Sequence, residues 1–309
     1  MNIGSEMFWY NGCLQEGTTI SLSVADPGIV FGATVFTTLR VYEHRLDHPL
    51  TAWRSHLNRL QSSITAFSWK TPNWQAIEDG ATYLAQQYPV IRITIFPDGR
   101  ELITGRSLPQ NMHTLQQDGV IAWLVQEHSF CRSLAGHKTG NYLPCWLALN
   151  HARRNGAHEA ILTEPSTGNW LESSTGNLFA WGEGQWWTPP LTDDEYIHDE
   201  YIHKVPFSQS HPSLTSNESP TERPTQSFMR ELILPGIERS QLISWLRCHN
   251  KEIVQDAWTP ERISSFEFVA YCNSVQQLVP IHTVMNGRTF LTFHAQHPCL
   301  EDLTGFLHS

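Results

Sequence analysis

Apolar and polar positions alternate through the first hundred residues in a way that predicts strands interrupted by one long helix. Phe8-Trp9-Tyr10 run into Asn11-Gly12, a pair suited to a tight hairpin turn. Val35 to Tyr42 and Val90 to Phe96 are dense in β-branched and aromatic residues, which predicts strands. Between them Leu50, Trp53, Leu57, Leu60, Ile64 and Phe67 recur at spacings of three and four, one face of an amphipathic helix over 50–67. A polar, turn-prone stretch from Gly105 to Gly119 predicts a boundary between a smaller N-terminal α/β domain, residues 1–115, and a larger one, residues 116–309. The second domain opens on the apolar run Val120 to Val125. It continues with a helix over 143–154, with Pro144 in its first turn and Gly156 past its end. Short strands follow at 160–163, 170–173, 177–181 and 185–188, and Pro235-Gly236 bend the chain ahead of the run Leu242, Ile243, Leu246.

A length of 309 residues suits two such domains, and 40% hydrophobic residues suffice for packed cores. The net charge of -10, without any basic run, argues against nucleic acid, because phosphate neutralisation needs clustered Lys and Arg. The N-terminus lacks the charged and apolar regions of a signal peptide, and no stretch approaches the ~18 apolar residues of a membrane span, which predicts a cytoplasmic protein with a small-molecule partner. The six cysteines, Cys13, Cys131, Cys145, Cys248, Cys272 and Cys299, show no CxxC spacing, and His294 with His297 lacks an acidic neighbour at ligand spacing, so no metal is expected. Residues 192–230 are rich in Ser, Pro, Thr and acids and predict a mobile surface insertion; within it Asp194 to His198 is repeated at once as Asp199 to His203.

Four windows could carry chemistry. Lys138 lies in a polar, glycine-containing approach to the helix beginning near Leu143, and an amine near a helix N-terminus is more readily neutral, as attack on an aldehyde requires. Alone, the window reads better as an exposed loop lysine. Glu172, 34 residues further on, sits in a segment otherwise headed for the core, where a carboxylate needs a partner such as a protonated ring nitrogen. The Pro235-Gly236 bend precedes a helix start whose free N–H groups can bind phosphate, and Arg59 could clamp that phosphate.

In chain order the sequence carries HxxRL at 56–60, KTGNY at 138–142, ExxxxNLF at 172–179, TPPL at 188–191 and LPGIxR at 234–239. This set resembles the fold-type IV pyridoxal-phosphate enzymes, the class IV aminotransferase family. The resemblance implies an α/β (α+β) fold with a smaller N-terminal domain and a larger, barrel-like mixed-sheet C-terminal domain, a homodimer, and pyridoxal 5'-phosphate (PLP) as cofactor. Lys138 would be its Schiff-base lysine, Glu172 the partner of its ring nitrogen and Arg59 a phosphate ligand. Tyr142 would bond the ring hydroxyl, Ile237 and Glu238 would offer backbone amides to the phosphate, and Ser274 would contact the cofactor. Glu238 departs from the small polar residue usual at its position.

Within the family, Phe36-Thr37-Thr38 is similar to the 4-amino-4-deoxychorismate lyase version of a segment that reads Phe-Glu-Gly in branched-chain transaminases, and Cys272-Asn273 is similar to the lyase pair. The resemblance thus implies a lyase that expels pyruvate to leave p-aminobenzoate, with Lys138 and Thr38 catalytic. Asn273, Arg92 and Arg100 would bind substrate, the two arginines because a dicarboxylate calls for cationic forks. The alternatives are a transaminase for branched-chain or D-amino acids and, outside enzymes, a ligand-binding protein using some of the twelve tryptophans as stacking platforms.

Overall fold

Asn11 and Gly12 both take positive φ, 49° and 80°, which matches a two-residue turn to the twist of its strands. Hence β1 (Met7–Tyr10) folds back antiparallel on β2 (Cys13–Glu16). The structure, a computed structural model, describes residues 6–192 and 231–307; the insertion expected over 192–230, with its tandem repeat, lies outside the described residues save for Thr192. After the single turn α1 (Pro27–Val30) come β3 (Val35–Arg40), α2 (Trp53–Ala66), α3 (Trp74–Ala85), β4 (Val90–Ile95) and β5 (Glu101–Arg106). The five strands form one sheet in the order β2-β1-β5-β4-β3.

Period-two alternation divides this sheet into two faces. Val35 and Leu39 of β3, Ile91, Ile93 and Ile95 of β4 and Ile103 of β5 pack with Leu60 and Ile64 of α2 and Ile77, Ala81 and Leu84 of α3 in a single core. Phe36, Thr38 and Arg40, Arg92 and Thr94, and Thr104 and Arg106 fall on the opposite face. The helix expected from residue 50 starts at Trp53, because Pro49–Thr51 form a separate 3-10 turn and Ala52 takes a left-handed φ of 50° that breaks the axis.

The turn-prone stretch before the second sheet contains a helix, α4 (Met112–Asp118), which the polar composition concealed; its Met112 is buried and Gly119, at φ 76°, ends it. Then follow β6 (Val120–Val125), α5 (Leu143–Arg154), β7 (Glu159–Thr163), β8 (Trp170–Ser173), β9 (Asn177–Gly182), β10 (Gln185–Thr188), α6 (Ile237–Cys248), β11 (Ile253–Gln255), α7 (Pro260–Ile263), β12 (Phe266–Asn273), β13 (Gln277–Asn286), β14 (Thr289–Thr292) and α8 (Thr304–Leu307). Strands run β9-β12-β13-β6-β7-β8, and β8 returns to β9 through Glu172 and Asn177. That pairing closes six strands into the expected barrel-like sheet, while β10 and β11 extend it beyond β9 and β14 pairs with β13. Trp170, Leu178, Trp258, Val269 and Val279 are among the side chains that fill its core.

The two sheets meet along a backbone seam. Phe36 donates its N–H to the Lys138 carbonyl at 2.8 Å, Gly140 donates to Thr34 at 2.6 Å, and Val35 bridges Thr139. At the other end of β3, Arg40 donates to the carbonyl of Ser274 in the β12–β13 turn at 3.0 Å.

Candidate active site

Lys138 therefore belongs to an extended segment pinned against β3, just before α5. Its Nζ lies 5.0 Å from the Phe36 ring centre and 4.9 Å from that of Tyr142. Burial, with the Arg59 and Arg132 guanidiniums nearby, brings the amine down to about 7, so that near neutrality much of it carries no proton. A nucleophilic lysine needs that state.

Arg59, on α2, donates to Thr37 Oγ1 at 2.9 Å and to the Pro235 carbonyl at 3.3 Å, while its buried Nε has no partner. Burial lowers the guanidinium to about 10 without discharging it at neutral pH. Thr37 Oγ1 lies 2.5 Å from His56 Nδ1. The threonine hydroxyl thus links the guanidinium of Arg59 to the imidazole of His56. Burial, then the charges of Arg59 and Lys138, hold His56 well below its ordinary pKa and thus neutral.

Glu172, on β8, is buried with both oxygens engaged, Oε1 by Arg132 at 2.5 Å and Oε2 by the Leu234 amide at 3.1 Å. A carboxylate has about four acceptor directions, so this pairing still leaves room for a ring N–H. Arg132 also donates to the His137 carbonyl at 2.9 Å, which ties the carboxylate to the lysine segment. Sequence reasoning missed Arg132; its place six residues before Lys138 in an irregular segment carried no periodic or motif signal. Tyr142, at the start of α5, donates its hydroxyl to the Ser174 carbonyl at 3.1 Å and stands edge-on to Phe36, ring centres 5.5 Å apart. Burial, the largest cause, keeps its phenol well above its usual pKa.

The α6 start is held by the residues around it. Asn177 donates to the Leu234 carbonyl at 2.9 Å, and a Cβ on Gly236 would overlap Asn177 Oδ1, so only glycine fits there. Arg239 links α6 to the Pro189 carbonyl at 3.1 Å and to Gln255 at 2.6 Å, which explains why TPPL and LPGIxR occur together. No side chain caps the helix, leaving the amides of Ile237 and Glu238 in an open first turn. The Glu238 side chain is buried, its Oε1 has no partner, and burial pushes it up to about 8 despite Arg40.

The remaining predicted residues divide. Thr38 and Arg92 are cross-strand partners on the sheet face that bears Phe36, and the Arg92 guanidinium lies 3.6 Å from the Phe36 ring centre. Ser274 contributes its carbonyl to the seam. Asn273 spends its Oδ1 on the Val275 and Gln276 amides, at 3.0 and 2.9 Å, holding its own turn. Arg100 does not join the site: it is bound to Asp26 at 2.5 Å, Asp98 at 2.6 Å and Tyr10 at 2.6 Å beside the β4–β5 turn. Asp98 comes from its own hairpin and Asp26 from the N-cap of α1, and together they neutralise it. Among the described residues no group of His, Cys, Asp and Glu could hold a metal ion, and no helix is long and apolar enough to cross a membrane.

The orphaned Arg59 Nε, the uncapped α6 start behind Gly236, the paired Glu172 and the depressed Lys138 amine suit, in turn, a phosphate, a pyridine nitrogen and an aldehyde. The family described as amino-transferase class IV matches residues 34–195, just over half of the chain. The chain belongs to the class IV aminotransferase family. It is an enzyme of that PLP-dependent family, and PLP is its cofactor. A relative, the aminodeoxychorismate lyase of Vibrio harveyi, is 26% identical over 202 residues, covering 60% of this chain and 71% of that one. The solved branched-chain aminotransferase of Thermoproteus uzoniensis, with norvaline, superposes with a TM-score of 0.72 at 19% identity, covering 99% of this chain and 94% of the other. The branched-chain amino acid aminotransferase of Escherichia coli gives 0.72 at 17% identity, covering 98% and 94%. These likenesses fix the mixed α/β architecture of fold-type IV aminotransferases, with its smaller sheet and closed, barrel-like larger one.

Proposed function

We propose that the chain is a 4-amino-4-deoxychorismate lyase, releasing pyruvate and leaving p-aminobenzoate. The observation that carries this reading is the Thr37-Thr38 pair of β3. Thr37, fully buried, bridges Arg59 and His56, and Thr38 presents a neutral hydroxyl beside Arg92 on the face that carries Phe36. A branched-chain transaminase resembling the family pattern would have Glu-Gly here; because some lyases also carry glutamate at the position of Thr37, Thr38 is the discriminating member of the pair. The Vibrio harveyi relative, named for this lyase activity, supports the same choice.

PLP would be held with its phosphate between Arg59 and the amides of Ile237 and Glu238, its ring hydroxyl at Tyr142 and its ring nitrogen at Glu172. Bound there, it supplies an electron sink for the carbon that bears the substrate's amine. Lys138 Nζ takes the proton from that ring carbon and delivers it to the methylene carbon of the departing enolpyruvyl group. The C–O bond breaks, the ring becomes aromatic and the added proton makes the fragment pyruvate; no second substrate enters. Thr38 Oγ1 and Arg92 orient the substrate from the sheet face. Leu143, Trp146 and Leu147 form an exposed apolar stripe on α5, which we assign to contact with a second copy of the chain in a homodimer.

The deciding experiment supplies the holoenzyme with 4-amino-4-deoxychorismate, made in place from chorismate, ammonia and a synthase, and follows p-aminobenzoate and pyruvate. Equimolar release of both supports the lyase. Amino transfer to a 2-oxo acid, with no p-aminobenzoate, overturns it in favour of a transaminase.

A further inference from the structure

The sheet face opposite α2 and α3 holds an uncompensated group of arginines. Arg40 ends β3, Arg92 lies within β4 and Arg106 ends β5. Registers place Arg92 across from Thr38 and Thr104, and Val90 across from Arg40 and Arg106. Arg92 is thus the diagonal neighbour of both other arginines, at about 7–8 Å between backbone positions. Among the described residues none of the three is in an ion pair. Arg92 stacks on Phe36 at 3.6 Å, Arg40 lies 4.5 Å from the Tyr42 ring centre, and Arg106 makes a single long bond, 3.4 Å, to the Ser107 carbonyl. The buried Glu238 feels the charge of Arg40 but stands outside ion-pair distance and has an unpartnered oxygen.

Like charges side by side on one sheet face repel. The chain has ten more acidic than basic residues, so the missing counter-charge is a matter of placement and not of supply. Two other arginines are neutralised directly, Arg100 by Asp26 and Arg132 by Glu172, whereas Arg59 and Arg239 rest on carbonyl, hydroxyl and amide oxygens. Three like charges without a carboxylate partner, the middle one beside the Phe36 ring that Lys138 also meets, fit an anionic ligand that completes them.

We propose that Arg40, Arg92 and Arg106 form a receptor for two carboxylates on one compact ring-shaped ligand, with Arg106 holding the carboxylate farther from Lys138. Arg92 is the near member, because it covers the same Phe36 ring that Lys138 meets. This rests on the lyase reading, whose substrate carries two carboxylates, and names the residues that would separate such a substrate from monocarboxylate amino acids.

Two non-reacting probes test the receptor apart from turnover. Isophthalate, with two ring carboxylates, and benzoate, with one, are titrated calorimetrically into the holoenzyme. One added charge-assisted contact predicts that isophthalate binds about tenfold or more tightly than benzoate. Arg106→Gln should abolish that preference while leaving benzoate binding unchanged, and Arg106→Lys should restore part of it. In turnover, Arg106→Gln should raise KM for 4-amino-4-deoxychorismate by about tenfold with kcat nearly kept. Equal binding of the two probes by the unaltered enzyme, or a preference that survives Arg106→Gln, overturns the receptor. The first comparison needs no variant, so a poorly folding one does not remove the test. A clear isophthalate preference without p-aminobenzoate formation keeps the receptor and sinks the lyase; p-aminobenzoate formation without the preference does the reverse.

Discussion

Replacing Lys138 by methionine should abolish turnover and yet make the cofactor-free protein more stable. The lysine amine titrates near 10.5 in an unfolded chain and at about 7 in the folded one, because burial and two guanidiniums disfavour its charge. The folded state therefore binds fewer protons than the unfolded state between those two values, so stability rises with pH across that window and is lowest below pH 7. A displacement from 10.5 to about 7, at about 1.4 kcal/mol per pH unit, costs about 5 kcal/mol below pH 7 and about 4 kcal/mol at pH 7, where half the folded amine is already neutral. Methionine has similar length and no charge, and so removes that cost. Urea unfolding of the cofactor-free wild type and Lys138→Met, at pH 6, 7, 9 and 10.5, provides the assay. The variant should be the more stable by about 3–5 kcal/mol at pH 6 to 7, with the gap closing toward pH 10.5. A variant no more stable than wild type at pH 7, or a gap that does not shrink with pH, refutes the electrostatic account of this amine.

Other residues make separate predictions. Arg59→Gln should weaken PLP binding, read from the visible absorbance of the cofactor, by about ten- to a hundredfold, through loss of a charge-assisted contact. Gly236→Ala drives a methyl group into Asn177 Oδ1 and should both lower the melting temperature and weaken PLP binding, because the helix start must shift. Glu238 titrates at about 8 folded against 4.5 unfolded, so its contribution is intact below pH 4.5 and is lost as pH rises through 8. Glu238→Gln should accordingly stabilise the protein by about 3 kcal/mol at pH 7, measured by urea unfolding, and by almost nothing at pH 4. Trp146→Glu, on the exposed stripe of α5, should shift sedimentation from dimer toward monomer while leaving the circular dichroism of the chain unchanged.

Much of the architecture could be read directly where period and punctuation agreed. The 143–154 helix is framed by Pro144 and Gly156, and the turn at Asn11-Gly12 is dictated by two positive φ angles. Elements lacking such signals escaped. The helix α4 is short and polar, and only its contacts with the larger sheet define it. The long hairpin β12–β13 is buried on both faces, so its strands show no alternation to read. At the site, Lys138, Glu172 and Arg59 stand in ordered motifs, whereas Arg132 lies in an irregular segment and the arginine face depends on register. Nothing local to Arg106 tells that Val90 will set it in line with Arg40. Arg100 misled for the converse reason, since its charge is cancelled by Asp26, 74 residues earlier in the chain.

The seam between β3 and the lysine segment separates two kinds of change that evolution or engineering could make. Backbone bonds from Phe36 and Gly140 fix where Lys138 stands, and they involve no side chain. Exchanging Thr38, Arg40 or Arg92 would therefore alter what is recognised without moving the nucleophile. A single-residue insertion or deletion in β3 would slip the register, turn Thr38 and Arg40 toward the helix core and carry the lysine out of line in the same step. The strand behaves as a ruler whose markings can be rewritten but whose length cannot.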